Sequence, residues 1–333
     1  MSSGLVQRRR HRFVARRVVR LIGVLLVVSV LCFFSMSLLP GDPARIILGE
    51  TSATPEAVAS LRAELGLDQP IVERFVHWIG GVLHGDLGSS YRTGQSVMGI
   101  IGDRAPVTLE LIVLSQIIAL ALAIPAAIVA AYRRRTATDR AISLWVFTTL
   151  STPDFVIGVL LVLVFSVSWG IFPSTGYTPW SDGIGPHLES LVMPALALAS
   201  ASFALYQRVL RADLVETLRR DYIAVARAKG ISMWRVTFRH ALRPSLTGLV
   251  TSVGVTIGTL IGSTVVIESL FGLPGIGAEL ASAVVNRDYV EVQGLVLMIA
   301  ASFVVINALV DLLYGVIDPR LSLAASTSGR GAR

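Results

Sequence analysis

The chain has 333 residues, of which 53% are apolar and only 15% are charged, and its formal net charge is +7. Soluble domains usually carry about 25% charged residues, so this composition excludes an ordinary soluble domain. Several apolar runs reach about twenty residues, the length that crosses the roughly 30 Å hydrocarbon core of a bilayer. The single cysteine, Cys32, excludes an intramolecular disulfide. We therefore expect a protein that spans the membrane several times.

The first 106 residues are predicted to consist of a basic arm, a first span and a polar segment. The arm, residues 1–18, is rich in arginine. The apolar run that follows is too long for the core of a signal peptide, and no small-residue cleavage site follows it, so we expect a retained span over about Val19–Leu39. Two prolines and a glycine in Pro40–Pro43 end that span. Two amphipathic helices are expected in the rest, over Pro55–Leu65 and Pro70–His84.

Residues 107–320 are predicted to hold five further spans, which gives an all-α membrane domain with six transmembrane helices. The third span is interrupted by Pro153 and Asp154, and a charged loop at 207–243 follows the fourth. Residues 321–333 form a short tail that is predicted to be flexible. The five spans are expected over about Leu111–Tyr132, Ala141–Trp169, Leu191–Tyr206, Leu246–Ile267 and Val292–Leu313.

Basic residues are unevenly distributed between the two sides that six spans imply. Most of the 29 lysines and arginines lie in the N-terminal arm, the loops after the second and fourth spans, and the tail. Because short loops rich in lysine and arginine remain in the cytoplasm, both termini and the 207–243 loop are predicted to be cytoplasmic. The segment between the first two spans then faces outward, and the +7 charge needs no nucleic-acid partner.

No recognisable enzymatic motif is present. Lys229 is the only lysine and is followed by Gly230 and Ile231, whereas a P-loop needs a lysine followed by serine or threonine. The five histidines show no spacing typical of metal ligands. We therefore predict no catalytic residue, no metal and no cofactor in this chain, and transport as its class of function.

The most charged stretch between two apolar runs is Asp221–Leu246, hereafter the elbow. The fourth span is expected to continue into it as a helix over Leu205–Lys229. Gly230 suits a helix C-cap because glycine tolerates a positive φ, and Ser232 suits the N-cap of the next helix. The alternative interpretation is a basic loop that only fixes orientation. Small side chains in this stretch predict a surface that could enter a groove of a partner: Ala224, Ala226 and Ala228.

The elbow resembles the cytoplasmic loop with the EAA-type motif in permease subunits of binding-protein-dependent ABC importers. Gly230 matches the glycine of that motif, and Ala226 matches its second alanine. Ala224 and Val225 stand where glutamate and alanine are usual. The dipeptide, oligopeptide and nickel branch of the family is similar in these departures, and its Ala-Arg-Ala-Lys-Gly is present over Ala226–Gly230.

Other segments resemble the same branch, and their order and spacing along the chain carry the resemblance. After the fifth span, its Glu…Phe…Pro-Gly-Ile/Leu-Gly signature is matched by Glu268, Phe271, Pro274, Gly275 and Gly277. The arrangement before the second span resembles the first, B-type permease of a pair. Further matches are Leu39–Pro43, Leu65–Pro70, Gly85–Gly88, Arg287–Tyr289, Asp311–Tyr314 and Asp318–Arg320.

The resemblance implies a type I ABC importer fold in a bacterial or archaeal plasma membrane. It implies a heterodimer with a C-type permease, two ATPase subunits that bind ATP and magnesium, and an extracytoplasmic solute-binding protein. The substrate would be a peptide; nickel or another metal chelate, or another small solute, is the alternative within the family, and a self-sufficient secondary transporter is the alternative outside it. Contacts with the ATPase would come from Tyr222, Ala226, Ala228, Lys229, Gly230, Ser232 and Met233.

Two features within the spans are candidates for packing or for the translocation pathway. Gly254, Gly258 and Gly262 recur at four-residue intervals, so they are expected to share a helix face that another helix can approach closely. Asp154 is an acid deep within a span, where a charge is unfavourable unless it faces a wet cavity or a partner. The alternative is that Pro153 ends a half-helix, which would place Asp154 nearer an interface.

Overall fold

The structure is a computed structural model that describes residues 19, 22–35, 44–45, 47–48, 53–64 and 66–317. These residues are helical, with no strand beyond an isolated antiparallel bridge between Ser89 and Ser96. The helices are α1 (Ile22–Ser35), α2 (Pro55–Glu64), α3 (Ile71–Leu83), α4 (Val97–Tyr132), α5 (Ala137–Ser151), α6 (Asp154–Ser168), α7 (Ile184–Thr217), α8 (Asp221–Ala228), α9 (Met233–Phe271), α10 (Ile276–Val285) and α11 (Tyr289–Ile317).

Among the described residues, four helices are long and apolar enough to cross a membrane, namely α4, α7, α9 and α11. Each contains one of the predicted spans and extends beyond it. The first predicted span is described only as α1, which is shorter than a span, while Leu39 and residues 40–43 lie outside the described residues. The count of six spans and the orientation of the termini therefore stay predictions.

The third predicted span is a broken helix. Its halves, α5 and α6, meet at an angle of 108° across Thr152 and Pro153. Proline cannot donate the backbone hydrogen bond that would continue α5, and it forces the preceding residue out of the helical region. Thr152 accordingly has an extended backbone, with φ −107° and ψ 125°. The break into half-helices is thus present, whereas a position of Asp154 near an interface stays a prediction, and its contact Ser200 lies midway along α7.

Contacts at both ends of α7 show that the broken helix crosses rather than returns. Near the start of α5, Asp139 forms an ion pair with Arg211, close to the C-terminal end of α7. Beyond the end of α6, the Thr178 amide donates to the hydroxyl of Ser190, close to the N-terminal end of α7. Because α5 and α6 together run from one end of α7 to the other, they form one bent span.

The chain divides into two compact units. Of the described residues, those numbered 19–106 and 275–305 form one unit, and those numbered 107–274 and 306–317 form the other. In the first, the aromatic side chains of α3 pack on α1, with the Phe75 and Trp78 rings 5.4 and 5.6 Å from that of Phe33. The aromatic side of this amphipathic helix therefore faces α1. In the second, α7 is central and packs against α5, α6 and α9.

Small side chains of α4 lie in the core of the second unit together with side chains of α7. Ala119, Ala123 and Ala127 recur at four-residue intervals on α4 and are fully buried. Membrane helices associate through such small-residue faces because their backbones can come together without a steric barrier. A buried polar contact joins the same two helices, since the Tyr206 hydroxyl of α7 donates to Gln116 of α4.

The predicted continuation of the fourth span through Lys229 is wrong. The helix α7 ends at Thr217, and Arg220 has an extended backbone with φ −72° and ψ 146°. A new helix, α8, then starts at Asp221, whose carboxylate favours a helix N-terminus through the helix dipole. The elbow therefore begins with a separate short helix rather than with the end of a span.

Candidate functional site

The elbow consists of α8, a glycine turn and the start of α9. Gly230 has φ +72°, its amide donates to Arg227 O at 2.9 Å, and the Ile231 amide donates to Ala226 O at 3.2 Å. Paired bonds of this kind satisfy the last carbonyl groups of a helix, and they require a residue with left-handed backbone angles. Glycine adopts those angles without steric strain, which is why it suits position 230. Ser232 does precede α9, but its side chain makes no capping hydrogen bond, so only its predicted position is confirmed.

The exposed and buried faces of α8 differ from the prediction. Ile223 and Ala226 are buried in the core, whereas Ala224 and Ala228 are exposed. A helix places residues two apart on opposite sides, so three alanines at alternate positions cannot form one surface. The prediction that Ala224, Ala226 and Ala228 form one surface that enters a groove of a partner is therefore wrong, because Ala226 lies in the core. Among the other candidate residues, Tyr222, Lys229, Gly230 and Met233 are exposed.

One hydrogen bond joins the two helices of the elbow, and two more connect the elbow to the bundle. The Tyr222 hydroxyl donates to His240 O at 3.4 Å, and the hydroxyls of Tyr132 and Thr237 lie 2.6 Å apart. The Ser245 hydroxyl donates to that of Thr217 at 3.1 Å. Helix α8 is thus bonded to the start of α9, which is bonded in turn to α4 and α7.

Two features of the elbow were not predicted. Residues Val236–Ala241 at the start of α9 are π-helical, a rare geometry that often occurs at functional sites. On its outer side, the rings of Trp234 and Phe238 lie 4.1 Å apart and are 74% and 40% exposed. An aromatic pair at i and i+4 just after a helix start was the available signal for this surface.

The residues of the signature after the fifth span lie at the opposite end of α9. Glu268 is fully buried and accepts a hydrogen bond of 2.7 Å from the Thr108 hydroxyl of α4. Phe271 is buried, and its carbonyl accepts a 2.8 Å bond from the Gly176 amide. Gly272 then ends α9 with φ +64°. The last three members of the signature follow: Pro274 lies before α10, Gly275 is its N-cap, and Gly277 is in its first turn.

Comparison with known families decides what kind of protein this is. The model of the family described as binding-protein-dependent transport system inner membrane component matches residues 123–323, more than half of the chain. The model of the N-terminal part of such components matches residues 10–112.

The chain belongs to this family.

The chain aligns with related permeases over almost their whole length. A putative peptide transport system permease protein of Brucella abortus is 41% identical to this permease, covering 92% of this chain and 98% of the relative. The dipeptide transport system permease protein DppB of Escherichia coli K12 is 35% identical, covering 93% and 98%. An inward-facing structure of the MetNI methionine ABC transporter is 18% identical, with a TM-score of 0.50 over 66% of this chain and 95% of that chain, and it shows the fold alone.

These matches confirm the family expected from the sequence. The protein is a permease subunit of an ABC importer with the type I transmembrane fold, a multi-pass component of the inner membrane. Membership of a binding-protein-dependent system implies ATPase and solute-binding partners. The relatives are transport permeases, which agrees with a non-catalytic role. Within the described residues, no group of three potential metal ligands is found.

The three glycines of α9 in this permease have different surroundings. Gly254 is buried, and a methyl group added there would overlap the Val310 side chain of α11. Gly258 is also buried. Gly262 is exposed, and an added methyl group would meet nothing within 4 Å. The shared packing face therefore includes Gly254 and Gly258, while Gly262 lies on the free side of the helix.

The side of α9 that is exposed in this chain carries two valines and otherwise small or hydroxyl-bearing residues along its length. They recur at three- and four-residue intervals, so they form one continuous stripe. Lipid-facing helix surfaces are usually strongly apolar, and this one contains three threonines and a serine. The stripe consists of Thr247, Thr251, Val255, Thr259, Gly262, Val266 and Ser269.

Asp154 lies at the first position of α6, directly after the break. Its carboxylate accepts a 3.3 Å hydrogen bond from the Ser200 hydroxyl of α7 and is partly buried. The Ser200 hydroxyl also lies 2.7 Å from Ala197 O, so this single donor is shared. The structure thus gives Asp154 a position at the N-terminal end of a half-helix, where a carboxylate is favourable.

Proposed function

We propose that this permease imports peptides as one half of a heterodimer with a C-type permease. Relatives with 41% and 35% identity are described as peptide and dipeptide permeases, which supports a peptide as the substrate. The observation that carries the mechanism is the elbow, because it combines an exposed short helix with anchors in α4, α7 and α9.

The elbow would receive the movement of two partner ATPase subunits. ATP and magnesium would bind to those subunits, and this chain would supply no cofactor site. Tyr222, Met233 and Trp234 would contact the ATPase, since their side chains are exposed next to the glycine turn. Gly230, with Lys229 beside it, would keep α8 at a fixed angle to α9 because its left-handed backbone connects them. Closure of the ATPases would then rotate α8 and move α9.

The stripe on α9 would face the C-type permease and the pathway between the two subunits. An aqueous or protein-covered environment suits its hydroxyl groups, because each oxygen keeps lone pairs that accept further hydrogen bonds even where the proton is used, as that of Thr251 is on Thr247 O at 2.9 Å. Gly262 in the middle of the stripe would let the partner helix approach closely. Transport would then alternate between outward and inward access as these packed helices change arrangement.

The test is Gly230→Trp in the complete importer, reconstituted in liposomes with both permeases, the ATPase subunits and the binding protein. A left-handed position penalises any residue with a Cβ by about 1–2 kcal/mol, and the indole would cover the contact surface. We expect normal insertion, retained ATP hydrolysis and uptake of a labelled dipeptide reduced at least about tenfold. Gly94→Trp is the matched control, because Gly94 also has a positive φ of +71° and open space around it.

Uptake that stays coupled to hydrolysis in Gly230→Trp would contradict the role of the elbow.

The substrate is tested separately by loading the cognate binding protein from a mixture of peptides and small chelates and identifying what it delivers. Uptake of a nickel chelate but not of peptides would reject the substrate and leave the coupling mechanism intact.

A further inference from the structure

A fully buried histidine lies at the N-terminal end of α7, far from the elbow. The Nδ1 atom of His187 is 2.7 Å from Thr178 O, and its Nε2 atom is 2.8 Å from Oε1 of Glu110 on α4. The Trp180 ring stacks on the imidazole at 3.9 Å, and the Tyr177 ring meets it edge-on at 5.6 Å. None of these contacts belongs to the elbow or to the stripe on α9.

The two hydrogen bonds determine how many protons the pair holds. A carbonyl oxygen only accepts, so the Nδ1 atom of His187 must carry a proton. The Nε2 atom faces a carboxylate oxygen, and a bond of 2.8 Å between them needs one more proton, on either the imidazole or Glu110. Without it, two lone pairs would face each other. His187 and Glu110 together therefore hold one proton more than a neutral imidazole with a free carboxylate.

The pair fastens the loop of residues 170–183, which is predicted to face outward. The Thr178 carbonyl is held by His187, while the Thr178 amide donates to Ser190 at 3.4 Å. Nearby, the Gly176 amide donates to Phe271 O, which joins the loop to the end of α9. The loop is thus attached to α4 through His187 and Glu110, to α7 through Ser190 and to α9 through Phe271.

The other acids close to His187 in sequence are Asp182 in the loop and Glu189 on α7, and both are exposed rather than buried with the ring. Tyr177 faces the ring from the loop; burial raises its pKa, and the nearby charge of Glu110 raises it further, so its phenol stays protonated. On α9 the acid at this end is Glu268, which binds Thr108 of α4. Histidine is the side chain whose ordinary titration falls between about pH 5 and pH 8.

We propose that His187 and Glu110 form a buried proton-binding site that latches the 170–183 loop to α4 and α7. The latch is closed while the shared proton is bound and opens as rising pH removes it. After that loss, the one proton left on the imidazole serves either Nδ1 or Nε2. Held on Nε2 by the carboxylate of Glu110, it leaves the Nδ1 lone pair facing Thr178 O, which releases that carbonyl and then the Gly176 bond to Phe271. The external face of the permease thereby responds to pH, a property that does not depend on which solute is carried.

Hydrogen exchange of the full-length chain in nanodiscs tests the latch. The probes are the amides of Gly176 and Thr178, measured from about pH 5 to about pH 9 and compared with the Arg220 amide, which bonds Thr217 O outside the latch. Loss of a charge-assisted hydrogen bond should speed exchange of the loop amides about ten- to hundredfold relative to that reference. In Glu110→Gln an uncharged amide still bonds the imidazole, so this pH response should disappear.

His84→Asn is the matched histidine control. The His84 Nδ1 atom also lies 2.8 Å from a carbonyl, that of Gly80, but the ring is exposed and has no carboxylate partner. Its replacement should leave the response of the loop unchanged. A wild-type ratio that stays constant across the pH range, or an identical pH response in wild type and Glu110→Gln, would overturn the proposal. If Glu110→Gln does not fold, the wild-type ratio alone decides.

Discussion

Helix α7 and the elbow lie next to each other in the chain and are held in opposite ways. Helix α7 is fixed by buried polar contacts at both ends and in its middle, through His187, Tyr206 and Arg211. The elbow is held by two buried side chains of α8, a capped glycine turn, one exposed hydrogen bond from Tyr222 and a few buried residues at the start of α9, among them Ser245, which bonds Thr217. Most of its other side chains are exposed.

The contrast separates a scaffold from a movable part. Buried hydrogen bonds and ion pairs are unfavourable to break, because each partner left behind remains desolvated. A helix held in this way has one arrangement. A short helix with an exposed face, joined to α9 through one capped glycine turn, can move together with the start of α9 at little cost, as a segment that transmits movement must. Substitutions in α7 should therefore lower stability, and substitutions in the elbow should lower transport.

The largest loss of stability is expected from Asp139→Ala. Its carboxylate binds Arg211 through two bonds of 2.9 and 2.8 Å and accepts the Arg135 amide at 2.9 Å, so it joins α5, α7 and the preceding turn. Breaking a buried pair costs about 3–5 kcal/mol, and because Arg211 is 29% exposed we expect about 2–3 kcal/mol. Thermal unfolding of the purified permease in detergent measures it.

An exposed ion pair nearby gives the control for Asp139→Ala. Arg220 and Glu216 lie 2.9 Å apart, with 57% and 72% of their side chains exposed. Exposed pairs contribute at most about 1 kcal/mol, so Arg220→Ala should shift the unfolding midpoint far less. Equal shifts for Asp139→Ala and Arg220→Ala would show that burial of the pair does not set the stability of the scaffold.

The two glycines at the ends of the predicted triplet should respond differently to alanine. In Gly254→Ala the new methyl group would overlap Val310 of α11, and overpacking typically costs about 1–3 kcal/mol. In Gly262→Ala the space is open, and alanine favours a helix by about 0.5–1 kcal/mol relative to glycine. Unfolding of the isolated permease measures both. A loss of stability in Gly262→Ala would mean that its surroundings in this chain are closed.

Much of the fold could be predicted because its signals are local. Twenty-residue apolar runs give the spans, Pro153 gives the break, and Gly230 gives the end of α8. The family could be predicted as well, since its motifs lie in order along the chain. The break between Thr217 and Asp221 was missed because the intervening leucine and arginines are good helix formers. Their preference for helix gives no sign that the chain turns there.

The polar contacts of the scaffold could not be predicted, because each joins residues far apart in sequence. His187 and Glu110 are 77 positions apart, and Arg211 and Asp139 are 72 apart. Neither histidine nor arginine near a helix end has a local pattern that names its partner. The error over Ala226 has another cause. Alanines at alternate positions were assigned to a single face, which holds for a strand, whereas the segment was expected to be a helix, in which the period is 3.6 residues.

The smallest change in stability should accompany a clear loss of transport in Trp234→Ala. The Trp234 side chain is 74% exposed and contacts Phe238, so its removal should alter the free energy of unfolding by less than about 0.5 kcal/mol. If this aromatic pair is part of the surface that meets the ATPase, truncation of an exposed tryptophan there removes an interface anchor, which typically costs at least about 2 kcal/mol of binding. Co-purification of the ATPase subunits and dipeptide uptake should both fall.

The control is Trp145→Ala, a tryptophan of α5 that is 53% exposed and lies outside the elbow. Its own contact with Phe203 should make it lose more stability while the ATPase still co-purifies. Retained co-purification in Trp234→Ala would limit the partner surface to α8 and the glycine turn.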